Sequence, residues 1–368
     1  MIFGILAVLL GCNGMINKKF WSGKKVFITG NTGFKGAWLS KWLLSLGSEL
    51  KGFSDNIKPV SLFNILELSK YSETIIDDIR NREVLDKEIR IFDPDIIIHM
   101  AAQPLVRESY DDPLGTFEIN AIGTANVCEV SKNLDNLNFL LNITTDKVYS
   151  NDESGKKFIE LDRLGGYDPY SASKSCSELI LHAYNTSFFK SKNLLSATAR
   201  SGNVIGGGDF AKDRIIPDIY RSIYNNTSLE IRNPYSVRPW QHVLEPIYGY
   251  ILLIEKSINE NLHDDYPAYN FGPNDESFIN VEDLVNLASA FLPNPLDITS
   301  EKINSSLHEA EILKLNIKKS KEILNWKPSF SVNNTIKATM DWYIAFLQDQ
   351  NMIDFTESQI ADYETLLE

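Results

Sequence analysis

The stretch that decides the fold is VFITGNTGFKGAWL, residues 26–39, in which an apolar run ends at a turn with three glycines. Glycine weakens helices and strands alike, so three of them between a strand and a helical pattern indicate a turn with a special task. Gly30 permits the tight turn, Gly33 lets the backbone approach a pyrophosphate, and Gly36 lets the helix pack close to the strand. The free N–H groups at a helix start also favour phosphate. The stretch therefore predicts a dinucleotide site within a βαβ unit.

Apolar runs alternate with helical patterns through the first half of the chain. The predicted strands are 25–29, 48–53, 73–77, 95–99, 138–144 and 194–200, and the predicted helices are 36–46, 81–91, 113–132 and 168–190. This alternation is typical of a parallel sheet with helices on both faces. The run DIIIHMAA, residues 95–102, lacks period-two alternation and so predicts a strand that is buried on both faces. The predicted fold class is α/β, with a Rossmann-like, doubly wound parallel sheet.

The pattern loosens after residue 200 and indicates a smaller, mixed α/β substrate domain on the C-terminal side. Helical patterns return at 240–256, 280–291 and 334–348. We expect a dinucleotide-binding domain of residues 15–200 with a returning segment at about 239–272, and a substrate domain of residues 201–238 and 273–350. The tail after about residue 350 is acidic and weakly patterned, and the sequence does not predict an ordered element there.

Composition narrows the classes of function. The chain has 368 residues and a formal net charge of −13, which disfavours a nucleic-acid partner. Its three cysteines are widely spaced and show no metal or disulfide pattern, which favours a reducing compartment such as the cytoplasm. Residues 1–14 are apolar, but they are too short to span a bilayer and lack a preceding basic residue, so we expect a dispensable extension. No other segment reaches membrane-spanning length, and no membrane partner is predicted.

A catalytic pair is indicated by YDPYSASK, residues 167–174, in which Tyr170 and Lys174 share a helix face. A lysine ammonium beside a phenol lowers the pKa of the phenol, so that Tyr170 can take a proton from a sugar hydroxyl. The alternative is a surface tyrosine and lysine without a shared role. The stretch ITTDKVY, residues 143–149, adds hydroxyl, carboxylate and amine groups at the end of a predicted strand, where doubly wound sheets bind ligands.

The choice of dinucleotide depends on Asp55, which lies about twenty residues after the glycine turn, where a carboxylate binds the adenosine ribose. A carboxylate there repels a 2′-phosphate and favours NAD over NADP, whereas Lys35 within the turn favours the opposite. His99 is interpreted as a satisfied core or loop histidine rather than as a catalyst.

Together these motifs resemble the extended short-chain dehydrogenase/reductase family, from Met15 to about residue 345. Within that family the stretches NTGFKGAWLSKWL, AAQPLVRESYDDP, TTDKVY, GGYDPYSASK, RPWQHVLEP and ILNWKPSF look like those of nucleotide-sugar 4,6-dehydratases that act on CDP-glucose. The resemblance implies NAD as cofactor, no metal, and a product for deoxysugar and surface-polysaccharide synthesis. The cofactor-binding residues that it implies are Gly30, Thr32, Gly33, Phe34, Lys35, Gly36, Asp55, Asp78, Ile79, Ala101, Ala102, Asn120, Tyr170 and Lys174.

The resemblance also implies the catalytic roles. Tyr170 would deprotonate the C4 hydroxyl of glucose while Thr145 hydrogen-bonds that oxygen, and Asp146 would protonate the departing C6 hydroxyl. The dTDP-glucose and GDP-mannose enzymes of the family have glutamate, as base for the C5 proton, where this chain has Lys147. A lysine is a base only when it is neutral, so Lys147 could instead orient Asp146 or stabilise the enolate. The base for C5 is therefore unassigned.

Contacts with the nucleotide and diphosphate are expected from Gln103, Asn203, Arg214 and Arg238, of which the two arginines are the candidate phosphate clamps. The resemblance further implies a homodimer, with a tetramer as an alternative, built from helices 113–132 and 168–190. We expect Phe117, Val127 and Val130 to face outward in that interface.

Two rival functions remain open. One is a nucleotide-sugar 4,6-dehydratase or 4-epimerase that uses a dTDP-, GDP- or UDP-sugar, although epimerases of this fold do not need an acid at the position of Asp146. The other is a non-catalytic NAD-binding regulator, which would be expected to lose part of the threonine, tyrosine and lysine set.

Overall fold

The computed structural model describes residues 15–262, 264–300 and 313–367, so the expectation for residues 1–14 lies outside the described residues. The strands of this part of the chain are β1 Lys25–Thr29, β2 Glu49–Ser54, β3 Glu73–Ile76, β4 Ile96–His99, β5 Phe139–Ile143, β6 Lys157–Phe158, β7 Leu195–Ser201, β8 Val204–Ile205, β9 Leu229–Ile231, β10 Val237–Pro239, β11 Gln241–His242, β12 Ala268–Phe271, β13 Phe278–Asn280, β14 Ile298–Ser300 and β15 Lys314–Leu315.

The helices alternate with these strands in the first half and dominate the second half. They are α1 Lys18–Trp21, α2 Phe34–Ser45, α3 Leu62–Ile65, α4 Arg82–Phe92, α5 Val106–Asp111, α6 Pro113–Phe117, α7 Gly123–Ser131, α8 Pro169–Tyr184, α9 Ile215–Asn225, α10 Leu244–Glu260, α11 Val281–Ala290, α12 Lys318–Leu324, α13 Val332–Leu347 and α14 Met352–Thr365. A π-helical segment, Glu118–Ile122, joins α6 to α7, and a second one, Asn185–Phe189, extends α8.

Seven parallel strands form the central sheet, in the order β3-β2-β1-β4-β5-β7-β12. The predicted Rossmann-like α/β fold is confirmed. The chain leaves β1 towards β2 on one side and returns to β4 on the other, so the strand order reverses between β1 and β4. Open parallel sheets bind ligands at this reversal, beyond the carboxyl ends of the strands.

Both faces of the sheet are buried, because alternate side chains of one strand enter different cores. On β1, Val26 and Ile28 pack into a large core with α2 and α10, whereas Phe27 packs into a second core with α4 and α8. On β4, Ile97 joins that second core, and its two isoleucine neighbours join the first. The prediction that residues 95–102 include a strand buried on both faces is confirmed.

The second half of the chain contributes to the central sheet and also builds around it. The predicted returning segment supplies α10 and the edge strand β12, which pairs with β7 in parallel. Four two-stranded sheets pair β10 with β13, β11 with β8, β14 with β9 and β15 with β6. The division into two domains stays a prediction. Within the described ranges, no helix is both long and apolar enough to cross a membrane.

The predicted helices 113–132 and 168–190 pack side by side, but two of the positions expected to face outward do not. Val127 and Val130 are buried in the second core, at 0% and 2% exposure. The helix that carries them, α7, packs against α4 and α8. The local sequence pattern alone did not distinguish this buried face from an outer face. The large apolar side chains that do face outward on this pair are Leu114, Ile122, Leu179 and Phe188.

The tail is ordered, against expectation, as helix α14. Its few apolar side chains are used in long-range contacts, and Tyr363 is fully buried. The Tyr363 hydroxyl donates to Glu245 Oε2 on α10 at 2.9 Å, and Trp42 Nε1 on α2 donates to Glu364 Oε1 at 2.8 Å. The partners, Glu245 and Trp42, lie more than 100 residues away in the sequence. The helix is therefore held by tertiary contacts that a weak local pattern does not reveal.

The buried carboxylate of Glu245 generates a stability prediction. It accepts the backbone N–H groups of Ser329 at 2.8 Å and Phe330 at 2.6 Å in addition to the Tyr363 hydroxyl. Tyr363→Phe leaves this group short of one donor, so we expect a loss of about 1–3 kcal/mol in the free energy of unfolding, measured in urea. Ser358→Ala, at an exposed position of the same helix, is the matched control. An equal effect of the two substitutions would contradict the anchoring role of Tyr363.

Candidate active site

The glycine turn between β1 and α2 is held by close backbone packing at two of its three glycines. Gly30 has a φ of +75°, and a Cβ built on it would lie 2.7 Å from the backbone nitrogen of Ala101. A Cβ on Gly36 would overlap the carbonyl oxygen of Gly30. A Cβ on Gly33, by contrast, would meet only that carbonyl, at 3.4 Å. The packing of the protein itself does not require glycine at position 33. A position without a side chain at this surface lets a ligand approach the backbone closely.

The N-terminus of α2 opens onto this wall. Gly33 is its N-cap residue and supplies no side-chain hydrogen bond, whereas Asn81 and Asp168 cap α4 and α8 with their side chains. The first N–H groups of α2 therefore lack a side-chain partner, and the positive end of the helix dipole adds to their attraction for anions. The turn fits the pyrophosphate of a dinucleotide, as predicted from sequence.

Beyond the carboxyl ends of β1 and β4 lies a cavity of about 570 Å³, here called the cofactor cavity. The predicted cofactor residues that line it are Gly30, Thr32, Gly33, Phe34, Lys35, Gly36, Asp55, Asp78, Ile79, Ala101, Ala102, Tyr170 and Lys174. Asp55 lies at the exposed end, where its Oδ2 accepts from Asn56 Nδ2 at 2.7 Å. Asp78 binds the Arg80 guanidinium at 2.7 Å, and this hydrogen bond lowers the pKa of that carboxyl.

Two predicted site residues are used internally instead. Asn120 lines neither cavity; its side chain accepts from Gln103 N at 2.9 Å and donates to the Gln103 carbonyl and to Ser173. Gln103 lines the cofactor cavity rather than the substrate side, and its amide nitrogen donates to Leu105 O and to Thr116 Oγ1. These contacts fix the loop after β4, so the structure gives both residues a positioning task.

A second cavity of about 580 Å³, here called the substrate cavity, adjoins the first. The predicted residues that line it are Thr145, Asp146, Lys147, Tyr170, Asn203, Arg214 and Arg238. The two cavities share Lys35, Thr144, Tyr170 and Arg214 in their walls. The reactive centre expected from sequence therefore lies at the junction, where a ligand in one cavity meets a ligand in the other.

Tyr170 stands at this junction on the first turn of α8, which Asp168 caps and Pro169 begins. The pKa of its phenol is raised to about 12, chiefly by burial; a hydrogen bond with the Thr145 hydroxyl opposes this rise, and the nearby Asp146 contributes to it. The predicted lowering by Lys174 is wrong for the protein without ligands. The Lys174 ammonium donates to the Ile143 carbonyl at 3.0 Å, and burial and Lys35 lower its own pKa to about 7, so it brings little charge to the phenol.

Asp146 is held beside Tyr170 by its neighbours at the end of β5. The carboxylate is buried, and its Oδ1 accepts from the Thr145 hydroxyl at 3.0 Å. A Cβ on Gly202 would overlap Asp146 Oδ2, so the carboxylate packs directly on the backbone at the end of β7. Gly202 was not identified from the sequence, although it directly precedes the candidate ligand Asn203. Only the pairing of β5 with β7 reveals its role.

Below the junction, a buried ion pair that was not predicted links three elements. Glu178 on α8 accepts from Thr144 Oγ1 at 2.6 Å and from Arg200 Nε on β7 at 2.8 Å. Arg200 also donates to the Tyr149 hydroxyl at 2.7 Å. The position of Glu178, one helical turn after Lys174, is the sequence signal that could have found it. The network fixes α8, and thereby Tyr170, against the ends of β5 and β7.

His99 is confirmed as a core residue. Its Nδ1 lies 2.7 Å from Thr29 Oγ1, its Nε2 lies 3.1 Å from Thr124 Oγ1, and burial lowers its pKa to about 3. It is neutral at physiological pH and ties β4 to β1 and α7.

Four arginines line the substrate cavity, and carboxylates line it as well. Arg214 donates to Asp209 Oδ2 at 2.9 Å, Arg238 is buried, and Arg107 and Arg232 line the same cavity. Asn203 has a φ of +42°, an uncommon backbone conformation outside glycine. Guanidinium groups offer paired donors to phosphate oxygens, so these arginines are candidate ligands for a diphosphate.

Comparisons with known proteins identify nucleotide-sugar 4,6-dehydratases and a 4-epimerase as similar to this chain. The family model described as GDP-mannose 4,6 dehydratase matches residues 27–339. The chain is 43% identical over 355 residues to a CDP-glucose 4,6-dehydratase of Salmonella typhimurium, covering 95% of this chain and 98% of that protein. Among solved structures, it resembles a dTDP-glucose 4,6-dehydratase of Bacillus anthracis in complex with NAD, with a TM-score of 0.72, 20% identity and coverage of 91% of this chain and 100% of that one. It also resembles a UDP-glucuronic acid 4-epimerase of Bacillus cereus in complex with UDP-glucuronic acid and NAD, with a TM-score of 0.74, 21% identity and coverage of 88% and 99%.

The contact between Gly202 and Asp146 can be tested directly. Gly202→Ala should push the Asp146 carboxylate out of its place, because the new methyl group would occupy the position of Oδ2. A crystal structure of the variant should show the Asp146 side chain rotated away from Thr145 with the sheet unchanged. Gly33→Ala, whose Cβ meets only an ordinary contact, should leave Asp146 in place. An undisturbed Asp146 in Gly202→Ala would show that the site does not depend on this glycine.

Proposed function

The chain belongs to the GDP-mannose 4,6-dehydratase family, and we propose that it converts CDP-D-glucose into CDP-4-keto-6-deoxy-D-glucose and water. The observation that carries this proposal is the junction of the two cavities, where Tyr170, Thr145 and Asp146 meet between the glycine turn and the arginines of the substrate cavity. The identity of 43% to a curated CDP-glucose 4,6-dehydratase over nearly the whole chain supports the choice of sugar nucleotide.

NAD is the cofactor that fits the cofactor cavity. The open wall at Gly33 and the uncapped start of α2 would hold its pyrophosphate, and Asp55 would bind its adenosine ribose. When bound, NAD supplies the acceptor and the donor of hydride for the reaction. The carboxylate of Asp55 disfavours a 2′-phosphate at the same position.

Tyr170 and Thr145 act on the C4 hydroxyl of the sugar. The phenolate of Tyr170 takes the hydroxyl proton, and Thr145, which already hydrogen-bonds the phenol, orients the same oxygen. Burial raises the pKa of the phenol to about 12, so its phenolate would have to be stabilised by positive charge close to it in the complex with NAD and substrate. Lys174 lies one turn along α8 and would orient the nicotinamide ribose.

Asp146 acts as the acid of the elimination. Once C4 is a ketone, the C5 proton is acidic, and the C6 hydroxyl can leave as water if it receives a proton. The buried Asp146 carboxyl, fixed by Thr145 and Gly202, is placed to deliver that proton. Lys147 lies at the edge of the substrate cavity and would support the developing enolate.

The substrate's diphosphate would bind the guanidinium groups of Arg214 and Arg238, with Asn203 as an additional donor.

A 4-epimerase with the same fold is the nearest rival, and the buried acid at Asp146 disfavours it. A non-catalytic regulator is disfavoured because the threonine, tyrosine and lysine set is complete and assembled. The two described cysteines, at 128 and 176, are free thiols, which supports a reducing compartment such as the cytoplasm.

The test is to incubate the purified protein with NAD and, separately, with CDP-, dTDP-, UDP- and GDP-hexoses, and to follow the loss of water by mass spectrometry. We expect CDP-glucose to be preferred by about tenfold or more in kcat/KM, because a site that pairs the cytosine amine leaves an acceptor unpaired with thymine or uracil.

The Asp146→Asn variant should still oxidise C4, seen as absorbance at 340 nm, but should make little 6-deoxy product. Equal turnover of dTDP-glucose would overturn the cytidine assignment, and parental turnover by Asp146→Asn would move the acid elsewhere.

We also propose that the protein is a homodimer through the helix pair that includes α6 and α8. The side chains of Leu114, Ile122 and Leu179 are 69%, 54% and 56% exposed on segments that pack side by side, and exposed large apolar side chains commonly mark an interface. Light scattering should give twice the mass of the chain at micromolar concentration, and Leu179→Glu should give the mass of one chain. Ile323→Glu, on α12, is the control. A monomeric parent protein would contradict the proposal.

A further inference from the structure

A preference for a cytidine nucleotide requires a group in the site that distinguishes cytosine from uracil and thymine. The inference that follows rests on the proposed function and names that group. Cytosine carries an amine at position 4 of its ring, where uracil and thymine carry a carbonyl oxygen. A side chain that only accepts hydrogen bonds, placed opposite position 4, binds the amine and repels the carbonyl.

The base must occupy the part of the substrate cavity that does not adjoin the cofactor cavity. The hexose reacts at the junction, and in a nucleotide sugar the diphosphate lies between the sugar and the nucleoside. Arg214 lines both cavities, whereas Arg238 and residues 230–233 line the substrate cavity alone. With the diphosphate bound to the two arginines, the nucleoside extends towards residues 230–233.

Residues 230–233 present the edge of a strand to the cavity. Among the described strands, β9 pairs with β14 alone, and Leu229 N donates to the Asp297 carbonyl on that side at 2.7 Å. The backbone groups of successive residues in a strand point to opposite edges, so the N–H and C=O of Glu230 face the other edge. The side chain of Ile231 is buried in the large core, yet this residue also lines the cavity. The cavity therefore runs along the strand's backbone.

Glu230 supplies the exposed side chain of this strand. Its two neighbours on β9 are buried, and because side chains alternate along a strand, the Glu230 carboxylate lies on the opposite face. Within the part of the chain that the structure describes, this carboxylate accepts no hydrogen bond and forms no ion pair. It is an acceptor in the wall of the cavity that awaits a donor.

The other carboxylates that the second half of the chain contributes to this cavity are already bound. Asp209 binds Arg214 at 2.9 Å. Arg232, which follows β9, binds Asp213 and lies 3.3 Å from Asp218 on α9. These ion pairs fix the end of β9 against the start of α9, and they leave Glu230 as the carboxylate of this group without a cationic partner.

We propose that the Glu230 carboxylate accepts a hydrogen bond from the 4-amine of cytosine and thereby selects CDP-sugars. The backbone N–H of the same residue, on the open edge of β9, is the donor for N3 of the base. Uracil and thymine carry an N–H at position 3 and an oxygen at position 4, so each would place a donor against a donor and an acceptor against an acceptor. Carboxylates serve as acceptors for the cytosine amine in protein–DNA complexes as well.

Two carboxylates on α5, Glu108 and Asp111, also line the substrate cavity. Glu108 lines the cofactor cavity too, which places it on the side of the hexose. Asp111 is the last residue of α5, so its backbone N–H belongs to the helix and is not a free donor beside the carboxylate. Asp111 is nevertheless the alternative that the experiment must separate from Glu230.

The experiment compares CDP-glucose with UDP-glucose as substrates of the full chain loaded with NAD. Glu230→Gln keeps the size of the side chain, but its amide can donate to the 4-carbonyl of uracil. We expect the ratio of kcat/KM for CDP-glucose to that for UDP-glucose to fall by about tenfold or more, with a gain for UDP-glucose. The kcat at saturating CDP-glucose should stay within about threefold of the parent, because the base is remote from the reacting carbons.

Three further variants locate the effect. Glu230→Asp keeps the acceptor and should keep the preference for CDP-glucose. Asp111→Asn and Glu282→Gln, the latter at an exposed position of α11 outside the cavity, should leave the ratio at the parental value. Titration calorimetry with CDP and UDP should show the same change in the ratio of dissociation constants for Glu230→Gln, without any need for turnover.

A parental ratio in Glu230→Gln, or an equal fall in Asp111→Asn or Glu282→Gln, would overturn the inference and leave the dehydration intact. Absence of water loss from CDP-glucose with the parent protein would overturn the proposed function itself. In that case the calorimetric comparison of CDP with UDP would still decide the role of Glu230.

Discussion

The rest of the site depends on the close contact between the ends of β1 and β4, at the reversal of strand order. The Thr29 hydroxyl oxygen accepts the N–H groups of Met100 and Ala101, each at 3.1 Å, and Gly30 packs against Ala101 with no room for a side chain. After this contact the two strands lead to different elements: β1 leads into α2, and β4 leads into the loop before α5. The divergence opens the cofactor cavity, and α2 points its uncapped start into it.

The residues at the next strand ends complete the centre. Thr145 and Asp146 follow the end of β5, and Gly202 follows the end of β7, so the acid is held where two parallel strands end. Burial lowers the pKa of Lys35 and of Lys174, and a neighbouring cation lowers each further, Arg214 for Lys35 and Lys35 for Lys174.

Elements and site residues were predictable where a local pattern carries the information. The glycine turn, the buried strands and the pair of Tyr170 and Lys174 follow from spacing and apolar runs alone. The features that the sequence pattern did not predict depend on contacts with residues that are distant in the chain. Helix α14 is ordered by Glu245, the burial of Val127 is decided by α4 and α8, and Gly202 matters because β7 pairs with β5. Asn120 and Gln103 were expected to hold ligands, but their amides are used to fix the loop after β4.

The claim that the reaction takes place at the junction of the two cavities is tested most directly by a crystal structure of the Tyr170→Phe variant with NAD and CDP-glucose. The hexose is predicted to lie at the junction, with its C4 oxygen within hydrogen-bond distance of the Thr145 hydroxyl and its C6 oxygen facing Asp146. The diphosphate is predicted to contact Arg214 and Arg238. A hexose bound outside the junction, or turned so that C6 points away from Asp146, would contradict the proposed dehydration.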